Sequence, residues 1–115
     1  MKKNVVKEKS YDFALRIVQL SQKLKDNREY VLSKQILRSR TSIGANIEEA
    51  DGAFSKKDFI YKMQIALKEA KETHYWVRLL RDSNYVRKQD AESLLEDCNN
   101  LIYLLTAILK KSKKQ

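Results

Sequence analysis

Lys57, Tyr61, Gln64, Lys68, Lys71, Tyr75 and Arg78 recur at alternating spacings of four and three residues. On a helix that spacing gathers them into one continuous row. Four cations interleaved with two tyrosines are equipment for a polyanion. Ammonium and guanidinium groups meet phosphate, and phenol rings stack on unpaired bases. Lys34, Arg38 and Arg40 extend the cationic set, although Arg40 points about 200° away from Arg38 on a helix. The same row also reads as an ordinary solvated face whose lysines pair with Glu69 or Glu72. Nothing in it reads a base sequence, so binding there would be mainly electrostatic and salt-dependent.

A second constellation is uncharged for most of its length. Ser42, Asn46 and Glu49, continued backwards by Ser39, run beside the apolar positions Ile43, Ile47 and Ala50. Such a row is either a hydrogen-bonded network that fixes helix register or a contact for a neighbouring subunit or ligand. Catalytic inventories are not met. A di-metal carboxylate bundle needs two Glu-x-x-His pairs, and the one histidine, His74, has Lys71 three residues before it. Cys98 has no spacing that links it to His74, and it falls on an apolar stripe, where cysteine serves as a small core residue. No metal site and no cofactor are expected, and the chain reads as a non-enzyme.

The elements that must position these residues are four helical stretches. The first runs from about Ser10, a plausible N-cap, to Lys25, with Phe13, Ile17, Leu20 and Leu24 on one face. The second runs from about Tyr30 to Asp51 on Leu32, Ile36, Ile43, Ile47 and Ala50. Gly52 follows where a left-handed residue would close it. Gly44 lies inside this helix, where it costs about 1 kcal/mol relative to alanine. Its expected use is to let another backbone come close. The third opens on Ser55-Lys56-Lys57-Asp58, a capping-box pattern with Asp in place of Glu. It carries the seam Phe59, Met63, Ala66, Ala70, Thr73, Val77 and Leu80 and stops near Asn84. The fourth runs from about Arg87 to Lys111 on Ala91, Leu94, Cys98, Leu101, Leu105 and Ile108.

Two glycines and no proline in 115 residues leave too few turn formers for a sheet protein. Short connections make consecutive helices antiparallel neighbours, so an all-α, antiparallel up-and-down four-helix bundle is predicted. Charge sits unevenly. Four lysines against one glutamate in residues 1–9, and four lysines in residues 110–115, carry most of the formal +9. Residues 1–9 and 112–115 therefore read as basic tails around a bundle domain of residues 10–111. The N-terminus has no apolar h-region, and the longest apolar run, Leu101–Leu105, falls far short of a bilayer span. A cytoplasmic protein without membrane contact is expected.

Apolar residues exceed what one stripe per helix uses. Leu15, Val18, Ile60, Leu67, Ile102, Tyr103, Leu104 and Leu109 all lie outside the seams. Either the chain self-associates, largely through its fourth and first helices, or a slightly irregular monomer buries the fourth helix on every side.

From Gln35 to Thr73 the chain resembles the 23S rRNA intervening-sequence protein family. The resemblance rests on Gln35, Arg38, Ser42, Ile43, Asn46, Ile47, Glu49, Ser55, Asp58 and Phe59. It departs from the family pattern at Asp51 and Gly44. The resemblance implies an up-and-down bundle assembled as a ring-like homopentamer, without enzymatic activity. Members are encoded in inserted segments of large-subunit rRNA genes. A related branch, the accessory variability protein of diversity-generating retroelements, binds a reverse transcriptase and nucleic acid through a basic surface. Two functions are therefore expected to compete. One is an oligomeric bundle that binds rRNA, other RNA or DNA, or a nucleic-acid enzyme, through Lys34, Arg38, Arg40, Lys57, Tyr61, Lys68, Lys71, Tyr75 and Arg78. The other is a protein-interaction scaffold in which the polar row holds a partner or neighbour.

Overall fold

Helical periodicity and turn chemistry together produce four helices in a computed structural model that describes residues 4–114, with the side chains of residues 39–41 outside the description. They are α1 (Val5–Asp26), α2 (Tyr30–Asp51), α3 (Lys56–Asp82) and α4 (Lys88–Lys113). No strand occurs among the described residues. Each helix packs on the next in sequence, and α1 also meets α4, so the four run up and down around one core. The bundle measures 46 × 25 × 21 Å.

The predicted seams form most of that core, but Leu32, Phe59 and Ile108 are only partly buried, and Leu109 rather than Ile108 takes the buried place at the end of α4. Phe13, Ile17, Leu24, Ile36, Ile43, Ile47, Met63, Val77, Leu80, Leu101 and Leu105 are fully buried. Ser21 and Ser33 are buried where α1 crosses α2. Their hydroxyls lie 2.8 Å apart, and the Ser33 hydroxyl also donates to the Ser21 carbonyl at 2.9 Å. Cys98 behaves as the small core residue expected. Its thiol donates to the Ala70 carbonyl across the α3–α4 contact, and burial pushes its pKa up to about 12.

The helix ends explain three departures from the sequence reading. Asn4, not Ser10, caps α1, its side chain accepting from the Lys7 N–H at 3.1 Å. Ser10 is instead buried in the second turn and donates to the Lys7 carbonyl. Val6 extends the apolar stripe by another turn, and lysines do not interrupt a helix. Residues 5–9, read as part of a tail, are therefore helical. Gly52 does not adopt the left-handed conformation; its φ is −105°. The left-handed residues are Arg28 (φ 65°) and Asn84 (φ 64°). Both close a Schellman turn. Glu29 N–H reaches the Leu24 carbonyl at 2.8 Å, and Tyr85 N–H reaches the Leu80 carbonyl at 3.0 Å. Asn84 suits that position, whereas Arg28 holds it against the steric preference of an L side chain.

Gly44 also departs from expectation. A Cβ built there meets nothing within 4 Å, so no other helix among the described residues approaches it closely. The apolar surplus is smaller than its sequence count. Leu109 is buried, and Ile60, Leu67, Ile102 and Leu104 pack partly against the core. Tyr11, Leu15 and Val18 on α1, and Tyr103 on α4, remain exposed. Helices α1 and α4 are the least closely packed neighbours. Between them a groove of about 800 Å³ opens over Leu20, Val86 and Leu94.

Candidate nucleic-acid interface

The polyanion-type row lies where its spacing puts it. Lys57, Tyr61, Gln64, Lys68, Lys71, Tyr75 and Arg78 all sit on α3 and all are exposed. Helix α3 can present them because Met63, Ala66, Ala70, Thr73, Val77 and Leu80 bury the opposite face. Ser55 fixes where the helix starts, its hydroxyl accepting from the Asp58 N–H at 3.0 Å. The row then rises about 30 Å from Lys57 to Arg78 at 1.5 Å per residue.

Lys57, Lys68 and Lys71 take part in no ion pair among the described residues. Of the two carboxylates read as partners for them, Glu72 accepts instead from Arg38 across the α2–α3 contact, and Glu69 is buried in no ion pair among the described residues, although the charge of Lys68 acts on it. Arg38 is thus on the surface but committed to bracing two helices. Lys34 is exposed and in no ion pair among the described residues. Arg40 belongs to α2, and its side chain lies outside the described residues.

Tyr61 stands free of ring contacts among the described residues and is 58% exposed. Tyr75 is more constrained. The Trp76 ring meets it edge-on at 5.5 Å, and the Arg78 guanidinium lies 5.8 Å from its centroid. The stacking role assigned to both tyrosines therefore differs between them. Tyr61 offers its ring without such neighbours, and one side of Tyr75 is occupied by a cation.

The polar row of α2 faces α3. Asn46 donates to the Ser42 carbonyl at 2.7 Å, and Glu49 accepts from Lys62 of α3 at 3.2 Å. Ser42 and Asn46 are half-buried. The described hydrogen bonds of the row stay within α2 or tie it to α3. On α3 Glu69 is buried, and its Oε2 has no hydrogen-bond partner; nor does the buried Nε1 of Trp76. Burial, followed by the charge of Glu72, holds the Glu69 carboxyl above the usual glutamate range.

His74 is the residue whose role the sequence reading passed over. Its Nδ1 accepts from Arg78 Nε at 3.1 Å. The four-residue spacing alone could have flagged that contact. Burial first, and then the charges of Arg78 and Arg81, hold its pKa below the usual range. No cluster of three or more metal-ligating side chains occurs among the described residues. No helix among them is long and apolar enough to cross a membrane.

Comparison with known proteins adds a family to this geometry. The family model described as 23S rRNA-intervening sequence protein matches residues 2–107. A crystal structure of a protein of unknown function from the S23 ribosomal protein family of Bacteroides thetaiotaomicron shares 52% identity. The match covers 91% of this chain and 98% of that one, with a TM-score of 0.89. A comparison with curated proteins finds no match.

Proposed function

This chain belongs to the 23S rRNA-intervening sequence protein family, and from that premise we propose that it is a non-catalytic, self-associating bundle that binds RNA or DNA through the basic face of α3. The observation that carries the reading is the pairing pattern. Arg38 takes Glu72, Lys62 takes Glu49 and Lys7 takes Glu48 and Asp51, while Lys57, Lys68 and Lys71 take none among the described residues. A solvated face of ordinary lysines beside available carboxylates pairs at least some of them. Here Glu48, Glu49 and Asp51 of α2 and Glu72 of α3 are paired across helix contacts, and the cations of the row remain for an external anion. Lys34 adds to this surface from α2, and Tyr61 supplies a ring for an unpaired base. The contacts go to phosphate, so no base sequence is selected.

Self-association is the second half of the proposal. Tyr11, Leu15 and Val18 form an exposed apolar line on α1, and Tyr103 is exposed on α4. A second copy that covers them leaves the α3 row free. The assembly is a homopentamer if the chain follows the resemblance drawn from its sequence.

The same apolar line supports the competing reading, a scaffold that holds a protein partner, including a nucleic-acid enzyme, without touching nucleic acid. Purified protein titrated against structured rRNA fragments and duplex DNA across a salt series separates the two, with its mass in solution recorded alongside. Tight binding that weakens steeply with salt is expected. Charge reversal at Lys68 and Lys71 is expected to abolish it and leave the mass unchanged. A stable oligomer with no binding near physiological salt would sink the nucleic-acid reading.

A further inference from the structure

The arginines of this bundle are not equivalent. Arg16, Arg38, Arg81 and Arg87 each hold a carboxylate. Arg78 holds none. Its Nε donates to His74 Nδ1 at 3.1 Å, and its guanidinium carbon lies 5.8 Å from the Tyr75 ring centroid. These neighbours stand four and three residues back on the same helix, so α3 itself sets the arrangement. Tyr75 is in turn braced edge-on by the half-buried Trp76.

The side chain is therefore held at one nitrogen and along one side, and neither contact neutralises it. An imidazole that accepts at Nδ1 carries its proton on Nε2 and is uncharged. The two terminal nitrogens of Arg78, with four N–H donors between them, make no contact with a carboxylate. That fork matches two oxygens of one phosphate group, which a lysine can meet only as a point charge. Asp82, one turn further on, is occupied by Arg81. Glu92 of α4 acts on Arg81 as well.

We propose that Arg78, positioned by His74 and Tyr75, is a two-pronged phosphate site at the C-terminal end of the α3 row. It fixes where a strand's backbone sits, while Lys57, Lys68 and Lys71 supply unoriented attraction. As a nucleic-acid contact, this assignment rests on the function proposed above; as a phosphate site, it stands alone.

The test has two arms, each with melting temperatures as a folding control. In the first, ¹⁵N-labelled protein is titrated with inorganic phosphate against chloride at equal ionic strength, and the Arg78 Nε–H and His74 ring signals are followed. Both are expected to shift saturably, and both responses to be lost in Arg78→Lys. In the second, a single-stranded RNA 12-mer is bound by wild type and variants. Arg78→Lys is expected to weaken binding about five- to tenfold, and Lys71→Arg by less than about twofold. His74→Leu is expected to cost about three- to fivefold, and His74→Asn, which restores an acceptor, to recover to within about twofold of wild type. Phosphate shifts with no binding of the 12-mer, of structured rRNA fragments or of duplex DNA support the site and refute the nucleic-acid reading. RNA binding that Arg78→Lys leaves unchanged, with no phosphate shifts, overturns the site and spares that reading. No phosphate shifts and no binding of any of these nucleic acids refute both. Equal losses in His74→Asn and His74→Leu overturn the positioning role.

Discussion

Neutralising two lysines of the α3 row should change the salt dependence of duplex binding by a calculable amount. Lys68 and Lys71 are exposed, three residues apart on one face, and in no ion pair among the described residues. A row about 30 Å long spans roughly nine phosphates of one strand at 3.4 Å per residue of duplex. Each neutralised phosphate steepens the slope of log K against log salt by about 0.9. Four contacts from Lys57, Lys68, Lys71 and Arg78 thus contribute a slope of about −3.6. The double change Lys68→Gln and Lys71→Gln removes two of them and makes the slope shallower by about 1.8. Other cations, including Lys110 and Lys111 at the end of α4, add to the total slope but cancel in that difference. Between 0.05 and 0.2 M salt, wild type should lose about 12-fold more affinity than the variant does. Fluorescence anisotropy of a labelled duplex across that range reads both slopes, and calorimetry should find stability within about 0.5 kcal/mol of wild type. A variant slope equal to wild type's would refute the assignment, because it would show that these two ammonium groups displace no counterions.

Three further outcomes follow from the helix ends and the α2–α3 contact. Arg28→Gly relieves a left-handed arginine and should stabilise the bundle by about 0.5–1 kcal/mol, seen as a rise of about 2–4 °C in Tm. Glu69→Gln should stabilise the protein at neutral pH. The raised folded-state pKa means that the stability contributed by protonated Glu69 is full below the ordinary glutamate value and is lost as pH rises through the folded one. Wild type and variant should therefore converge in Tm towards pH 4 and separate towards pH 7; a pH-independent difference would contradict this. Gly44→Ala, placed where an added Cβ meets nothing, should add about 0.5–1 kcal/mol of helix stability without changing the mass in solution. A fall in mass would instead locate Gly44 in a subunit contact.

The four helices were legible because each signal is local. Alternating three- and four-residue apolar spacings predict the buried faces of α1 to α4, and Ser55 and Asn84 predict two of the helix boundaries. The boundaries that failed had competing local solutions. Asn4 and Ser10 both cap acceptably, and the choice went to the one that lets Val6 join the core. Gly52 and Arg28 show the same competition at C-termini, where the path to the next helix decided which residue turned left-handed. In the candidate site, the α3 row was readable because one helix carries all of it. The pairing of Arg38 with Glu72 was not, because it joins positions 34 residues apart.

By itself, then, the amino-acid sequence determined the element count, the α-helical class, the core faces and the cationic face of α3, all properties of one helix repeating at 3.6 residues per turn. Only the tertiary structure decided which charges were available. Packing α2 against α3 consumed Arg38, Glu49, Lys62 and Glu72 in cross-helix pairs, and the buried Glu69 keeps one carboxylate oxygen without a hydrogen-bond partner. It left Lys57, Lys68, Lys71 and Arg78 outside. An ion pair forms between neighbours in space, and helix spacing names such neighbours only within a single helix.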